Sequence, residues 1–158
     1  MIKIPANIII SRTDSIGDVV LTLPVATVLK RYFPAIKIAF MGKTYTRPVV
    51  EACASIDLFI DVDDFMAKAI TVFGEQPAAI VHVLPNLKIA QRAKQLDIPV
   101  RIGTTNRIFH WFTCNRLVKL SRRKSPLHEA QLNLGLLQPL GIKHNYTLQQ
   151  LGDLFALN

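Results

Sequence analysis

Two short runs, 7–11 (NIIIS) and 78–84 (AAIVHVL), carry apolar residues at consecutive rather than alternating positions. A strand with one wet face alternates with period two. A continuous apolar run therefore marks a strand covered on both faces, the condition met in parallel sheets. Similar runs recur at 36–41, 58–62, 100–103 and 117–120. Helical stretches separate them at 15–32, 47–54, 63–72, 87–96 and 128–140, the last closed by Gly141. Residues 107–116 show no readable pattern. This alternation predicts an α/β domain: a Rossmann-like, doubly wound, mostly parallel sheet with helices on both faces. Residues 1–145 read as that domain, and 146–158 as the start of a linker or helix leading out of it.

A chain of 158 residues is long enough to bury a real core. Half its residues are hydrophobic, which excludes a disordered class. Its two cysteines, Cys53 and Cys114, are too few for a disulfide scaffold or a multi-cysteine zinc module. No stretch reaches the roughly 18 apolar residues of a membrane span. The opening MIKIPANIII lacks a signal-peptide pattern, since Arg12, Asp14 and Asp18 follow at once. The expectation is a cytoplasmic protein.

In open α/β sheets ligands bind at the carboxyl ends of strands. The first strand-to-helix turn here runs Ser11, Arg12, Thr13, Asp14, Ser15, Ile16, Gly17, Asp18. It is neither a dinucleotide-binding glycine motif nor a P-loop. A helix start attracts phosphate, but Asp14 and Asp18 would repel one placed there. A hydroxyl-bearing ligand with a carboxylate as proton acceptor suits this turn better. Ser15 and Asp18 also fit a capping box, so a purely structural role stands beside the catalytic one. Gly17 costs about 1 kcal/mol against alanine in a helix, which points to close approach by a ligand or another backbone. Pro24 should kink the helix.

The string RTDSIGDVVLTLPVATVLKRYFP resembles the opening of glycosyltransferase family 9, the ADP-heptose:lipopolysaccharide heptosyltransferases. Arg12, Ser15, Gly17, Asp18, Val19, Thr22, Pro24, Phe33 and Pro34 carry the likeness. The segment RIGTTNR, the pair Asn115 and Arg116, and the helix led by His128 follow the family more loosely. The resemblance implies the amino-terminal, acceptor-binding half of a two-domain GT-B transferase that inverts the anomeric centre. It places the general base on Asp18. The nucleotide-sugar donor, ADP-heptose, would bind a carboxy-terminal domain that this chain lacks, so these residues alone should be inactive. No cofactor and no metal are expected in this half.

The net charge of +8 favours anionic partners. Ten lysines and arginines lie between Lys88 and Lys124, with Asp97 as the only acid and Phe109, Trp111 and Phe112 among them. One reading is an acidic glycolipid acceptor at the inner membrane surface, its phosphates and carboxylates held by arginine and the aromatics dipping into headgroups. The other is a solvated face over core aromatics. Nucleic-acid binding finds no RRM, KH or zinc-finger signature. The candidate substrate-binding residues are Arg12, Ser15, Gly17, Lys43, Arg101, Arg107, Arg116 and His128. The acidic run Asp61, Asp63, Asp64 reads as a helix start rather than a metal site. His110 and Cys114, four apart, are too few ligands for zinc. His82, near a strand end, either touches ligand or is a hydrogen-bonded structural residue. The competing functional class is a non-catalytic domain that docks acidic glycan or lipid.

Overall fold

The computed structural model describes residues 3–120, 129–143 and 146–158. Six strands form one sheet: β1 (Asn7–Ser11), β2 (Lys37–Gly42), β3 (Leu58–Asp61), β4 (Ala79–His82), β5 (Val100–Thr104) and β6 (Arg116–Val118). Their spatial order is β3-β2-β1-β4-β5-β6, and every pairing is parallel. The order reverses between β1 and β4, and such a switch point is where open α/β sheets bind ligands, at the carboxyl ends of the strands. Ser11 there pairs with Met41 on one side and His82 on the other.

The consecutive apolar residues of the strands split between two cores. Ile8, Ile10, Ile38, Phe40 and Val81 pack with Val28 and Leu29 of α2 (Leu23–Tyr32), and with Leu134 of α7 (Glu129–Gly135). Ile9, Ala39, Met41 and Ile80 pack on the other face with Phe65 of α4 (Val62–Ala67) and with Ile89 and Ala93 of α5 (Leu87–Gln95). Each fully buried side chain of this size contributes roughly 1.5–3 kcal/mol. The cover on both faces is why neither strand face needs polar residues.

Three stretches depart most from expectation. The helix expected over 15–32 is two helices, α1 (Ile16–Val20) and α2, because Pro24 sits in the first turn of α2 rather than inside one long helix. The break frees the Leu21 carbonyl, and buried Asn133 of α7 donates to it at 3.1 Å. The helix expected over 63–72 ends at Ala67, and the chain then turns through Phe73 and Gly74, both with positive φ. The unreadable stretch 107–116 holds a helix, α6 (Ile108–Thr113). A short α3 (Arg47–Glu51) follows β2.

Residues 146–158 fold back on the domain. Leu151 of α8 (Leu148–Leu151) and Leu154 join the α2-side core. The Ala54 amide donates to Ala156 O at 2.8 Å, and the Asn158 amide to Ala52 O at 3.0 Å. No helix among the described residues is long and apolar enough to cross a membrane.

Candidate functional site

The turn after β1 is organised by a buried guanidinium. Arg12 is 5% exposed. Its Nε and Nη2 donate to the two oxygens of Asp14 at 2.9 and 3.1 Å, and its Nη1 donates to Glu129 Oε1 at 3.1 Å. Asp18 Oδ1 lies 3.5 Å from Nη2. One positive charge thus faces three carboxylates, and the mouth keeps an excess of negative charge. Arg12 spends its donors on the protein and holds the turn against α7. Tyr45, on the 3-10 turn after β2, adds a bond from its hydroxyl to Asp14 O at 2.9 Å.

Ser15 caps α1. Its hydroxyl accepts from the Asp18 amide at 3.4 Å and donates to Asp18 Oδ2 at 2.8 Å. The cap anticipated from the Ser15-to-Asp18 spacing is therefore present. It does not hide the carboxylate, whose side chain is 40% exposed. The Ser15 hydrogen bond is the main reason the Asp18 pKa lies below the usual carboxylate value; burial opposes it, and the Arg12 charge adds to it. Asp18 is ionised at neutral pH, able to accept a proton from a hydroxyl brought beside it. Gly17 is exposed, and a methyl group built on it would meet nothing within 4 Å. Among the described residues no other backbone closes on Gly17, and its outer side is open.

Lys43 is exposed and directly follows β2, on the same edge of the sheet as the β1 turn. Its neighbour Gly42 is needed for packing: a Cβ there would lie 2.9 Å from Thr46 Oγ1 and 3.3 Å from Arg12 O. Arg107 is exposed at the start of α6, also on the carboxyl edge but beyond β4 and β5. Two of the candidate arginines point elsewhere. Arg101 gives Nε to Thr113 O and Nη1 to Ile98 O, both at 2.7 Å, toward the amino-terminal end of the sheet. Arg116 opens the edge strand β6 and donates to Asn115 O. His128, with Arg122, Arg123 and Lys124, lies outside the described residues.

His82 ends β4 beside Ser11, wholly buried, and its ring stacks obliquely on His110 with centroids 5.5 Å apart. His110 Nδ1 lies 3.1 Å from Thr104 O. Neither His82 ring nitrogen has a hydrogen-bond partner among the described residues, nor do Ser11 Oγ and His110 Nε2. Burial, then the charges of His110 and Arg101, hold the His82 pKa down to about 3, so the ring is neutral. The ring is closed to solvent and has no hydrogen-bond partner among the described residues, which departs from both expectations for His82. Asp61 caps α4 and accepts from the Asp63 amide at 2.8 Å and from Thr44, while Asp64 pairs with Lys68. That is the helix start read from the acidic run. Among the described residues no group of three or more His, Cys, Asp or Glu is placed to hold a metal.

Sequence reasoning missed Tyr45 and Glu129. Glu129 is 117 residues from Arg12, and nothing local marks the pairing.

No protein-family model matches the chain. A Haemophilus influenzae protein provisionally described as a glycosyltransferase is 25% identical over 145 residues, covering 88% of this chain and 42% of that protein. The crystal structure of a glycosyl transferase family 9 protein from Veillonella parvula superposes with a TM-score of 0.73 at 22% identity, covering 89% of this chain and 43% of its own. The E. coli heptosyltransferase WaaC with ADP gives 0.70 at 18% identity, over 89% and 49%. The chain spans less than half the length of each of these proteins. It shares the Rossmann-like α/β fold of these two glycosyltransferase structures, which it matches over 89% of its own length.

Proposed function

We propose that this chain is the acceptor-binding half of an inverting glycosyltransferase, and that the sugar transferred is heptose from ADP-heptose to a lipopolysaccharide inner core. The observation that carries the reading is the ionised, part-exposed Asp18 carboxylate at the mouth of β1, in front of open space at Gly17. Asp18 takes the proton of an acceptor hydroxyl as that oxygen bonds to the anomeric carbon. The bond from that carbon to the nucleoside diphosphate breaks, and the configuration inverts. Lys43 and Arg107 face the anionic groups of the acceptor. The donor binds to protein outside these residues, so the chain alone transfers nothing. Location on the cytoplasmic side belongs to the same proposal.

The second reading is a binding domain for acidic glycan or lipid without catalysis. The observation on its side is that both Asp18 oxygens are already engaged, by Ser15 and Arg12. One experiment separates the two. In the longer protein with its donor half, Asp18→Asn should lower kcat by about 10²–10⁴ while acceptor affinity changes less than about twofold. An unchanged kcat removes Asp18 from the chemistry and leaves the binding reading.

A further inference from the structure

Tyr45 is fixed at both ends, yet it lies open beside the β1 mouth. It occupies the middle of the 3-10 turn Thr44–Thr46. Buried Thr46 anchors that turn: its amide and its hydroxyl both donate to Lys43 O, at 2.9 and 2.7 Å. The turn springs from the end of β2, where the Arg12 amide donates to Met41 O at 3.1 Å. At its other end the Tyr45 hydroxyl donates to Asp14 O at 2.9 Å. With its hydroxyl engaged, the residue is still 56% exposed.

That bond sets the phenol ring beside the candidate base. Arg12 Nη2 reaches Asp14 Oδ2 at 3.1 Å and Asp18 Oδ1 at 3.5 Å, so Tyr45 braces the residue that shares a guanidinium with Asp18. Ile16, which opens α1 between Asp14 and Asp18, is 47% exposed, and Gly17 adds no side chain. The mouth therefore joins an aromatic ring, an aliphatic side chain, open backbone and a carboxylate, with exposed Lys43 two residues before Tyr45. A phosphate would need free donors here, and Arg12 has spent its own on carboxylates. A pyranose fits better. One face of such a ring presents C–H groups to an aromatic surface, while its hydroxyls project from the rim toward polar partners. A ring already held in place loses little rotamer freedom on binding.

We infer that Tyr45 is the stacking platform for the acceptor sugar and determines which of its hydroxyls comes to Asp18, on the reading of this chain as an acceptor-binding half. The same role holds whether or not Asp18 performs chemistry, because stacking is a matter of binding alone.

The test titrates the chain with a delipidated, heptose-free lipopolysaccharide core oligosaccharide, followed by calorimetry and proton NMR. Upfield ring-current shifts are expected on the C–H protons of one sugar face. Tyr45→Ala and Tyr45→Leu should weaken binding about tenfold or more and abolish those shifts, with circular dichroism unchanged. Tyr45→Phe keeps the ring and loses only the bond to Asp14, so it should bind within about threefold of the unaltered chain. Binding by Tyr45→Ala within about twofold would overturn the assignment. So would a Tyr45→Phe protein as weak as Tyr45→Ala, which would make Tyr45 a brace for Asp14 and no more. No binding by the unaltered chain would overturn the acceptor reading and this role together. Loss of turnover in Asp18→Asn, in a protein that joins this chain to a donor-binding half, alongside full binding by Tyr45→Ala would remove the platform and leave the transferase reading standing.

Discussion

Replacing His82 with leucine should remove a large part of the acid sensitivity of this fold. His82 is fully buried, and its pKa falls from an ordinary 6.5 to about 3. The unfolded chain takes up a proton near pH 6.5, whereas the folded chain refuses it until about pH 3. The stability this residue contributes is therefore complete above pH 6.5 and is lost progressively as the pH falls toward 3. The slope in that window is about 1.4 kcal/mol per pH unit. Two units below 6.5, at pH 4.5, the folded state has lost about 2.7 kcal/mol relative to pH 7.5 through His82 alone. Neither His82 nitrogen is hydrogen-bonded to the described residues, so an apolar replacement strands no partner and should be close to neutral at pH 7.5. Urea unfolding of the 158-residue chain, followed by circular dichroism at both pH values, measures the difference. Asp18 and Asp61 also have lowered pKa values and titrate alike in both proteins, so the comparison reads His82 together with its effect on the adjoining His110 ring. Equal losses in the two proteins, within about 0.5 kcal/mol, would refute the reasoning.

Gly17→Ala should raise stability by about 0.5–1 kcal/mol through the unfolded chain, since the new methyl meets nothing, yet weaken acceptor binding in titration calorimetry. Gly103→Ala should cost about 1–3 kcal/mol in thermal or urea unfolding, because its Cβ would lie 2.6 Å from His110 Nδ1 and 2.7 Å from Cys114 Sγ. Arg12→Met should destabilise by about 1–3 kcal/mol, less than a fully buried triad, because its three carboxylate partners keep some water. On the proposed transferase reading, the same change in a protein that joins this chain to a donor-binding half should move the acid limb of the pH–rate profile upward, since Arg12 helps hold Asp18 ionised.

The strands were legible because their burial on both faces leaves an unbroken apolar signature, as at Ile8, Ile9 and Ile10. Asp18 and Ser15 were legible because an N-cap is a local, sequence-adjacent device. Helix α6 was not, for a physical reason: its apolar residues face outward and its inward ones are His110 and Thr113, so the amphipathic pattern carries the wrong sign. Pro24 announced a disturbance, but not that Asn133 would arrive from α7 to satisfy the freed carbonyl. Arg12 looked available for substrate until Glu129 closed on it from across the fold. Such partners are set by how helices stack on the sheet, and no spacing along the chain encodes them.

The division between α1 and α2 has a dynamic consequence. Only Val19 of α1 is buried, whereas seven residues of α2, from Leu23 to Leu29, are. Two neighbouring helices thus differ widely in what anchors them, and amides of α1 should exchange with deuterium far sooner than those of α2. Asp18 rides on the lightly anchored one. Occupancy of the β1 mouth should therefore be visible as slowed exchange confined to a handful of amides in α1, against an otherwise silent background.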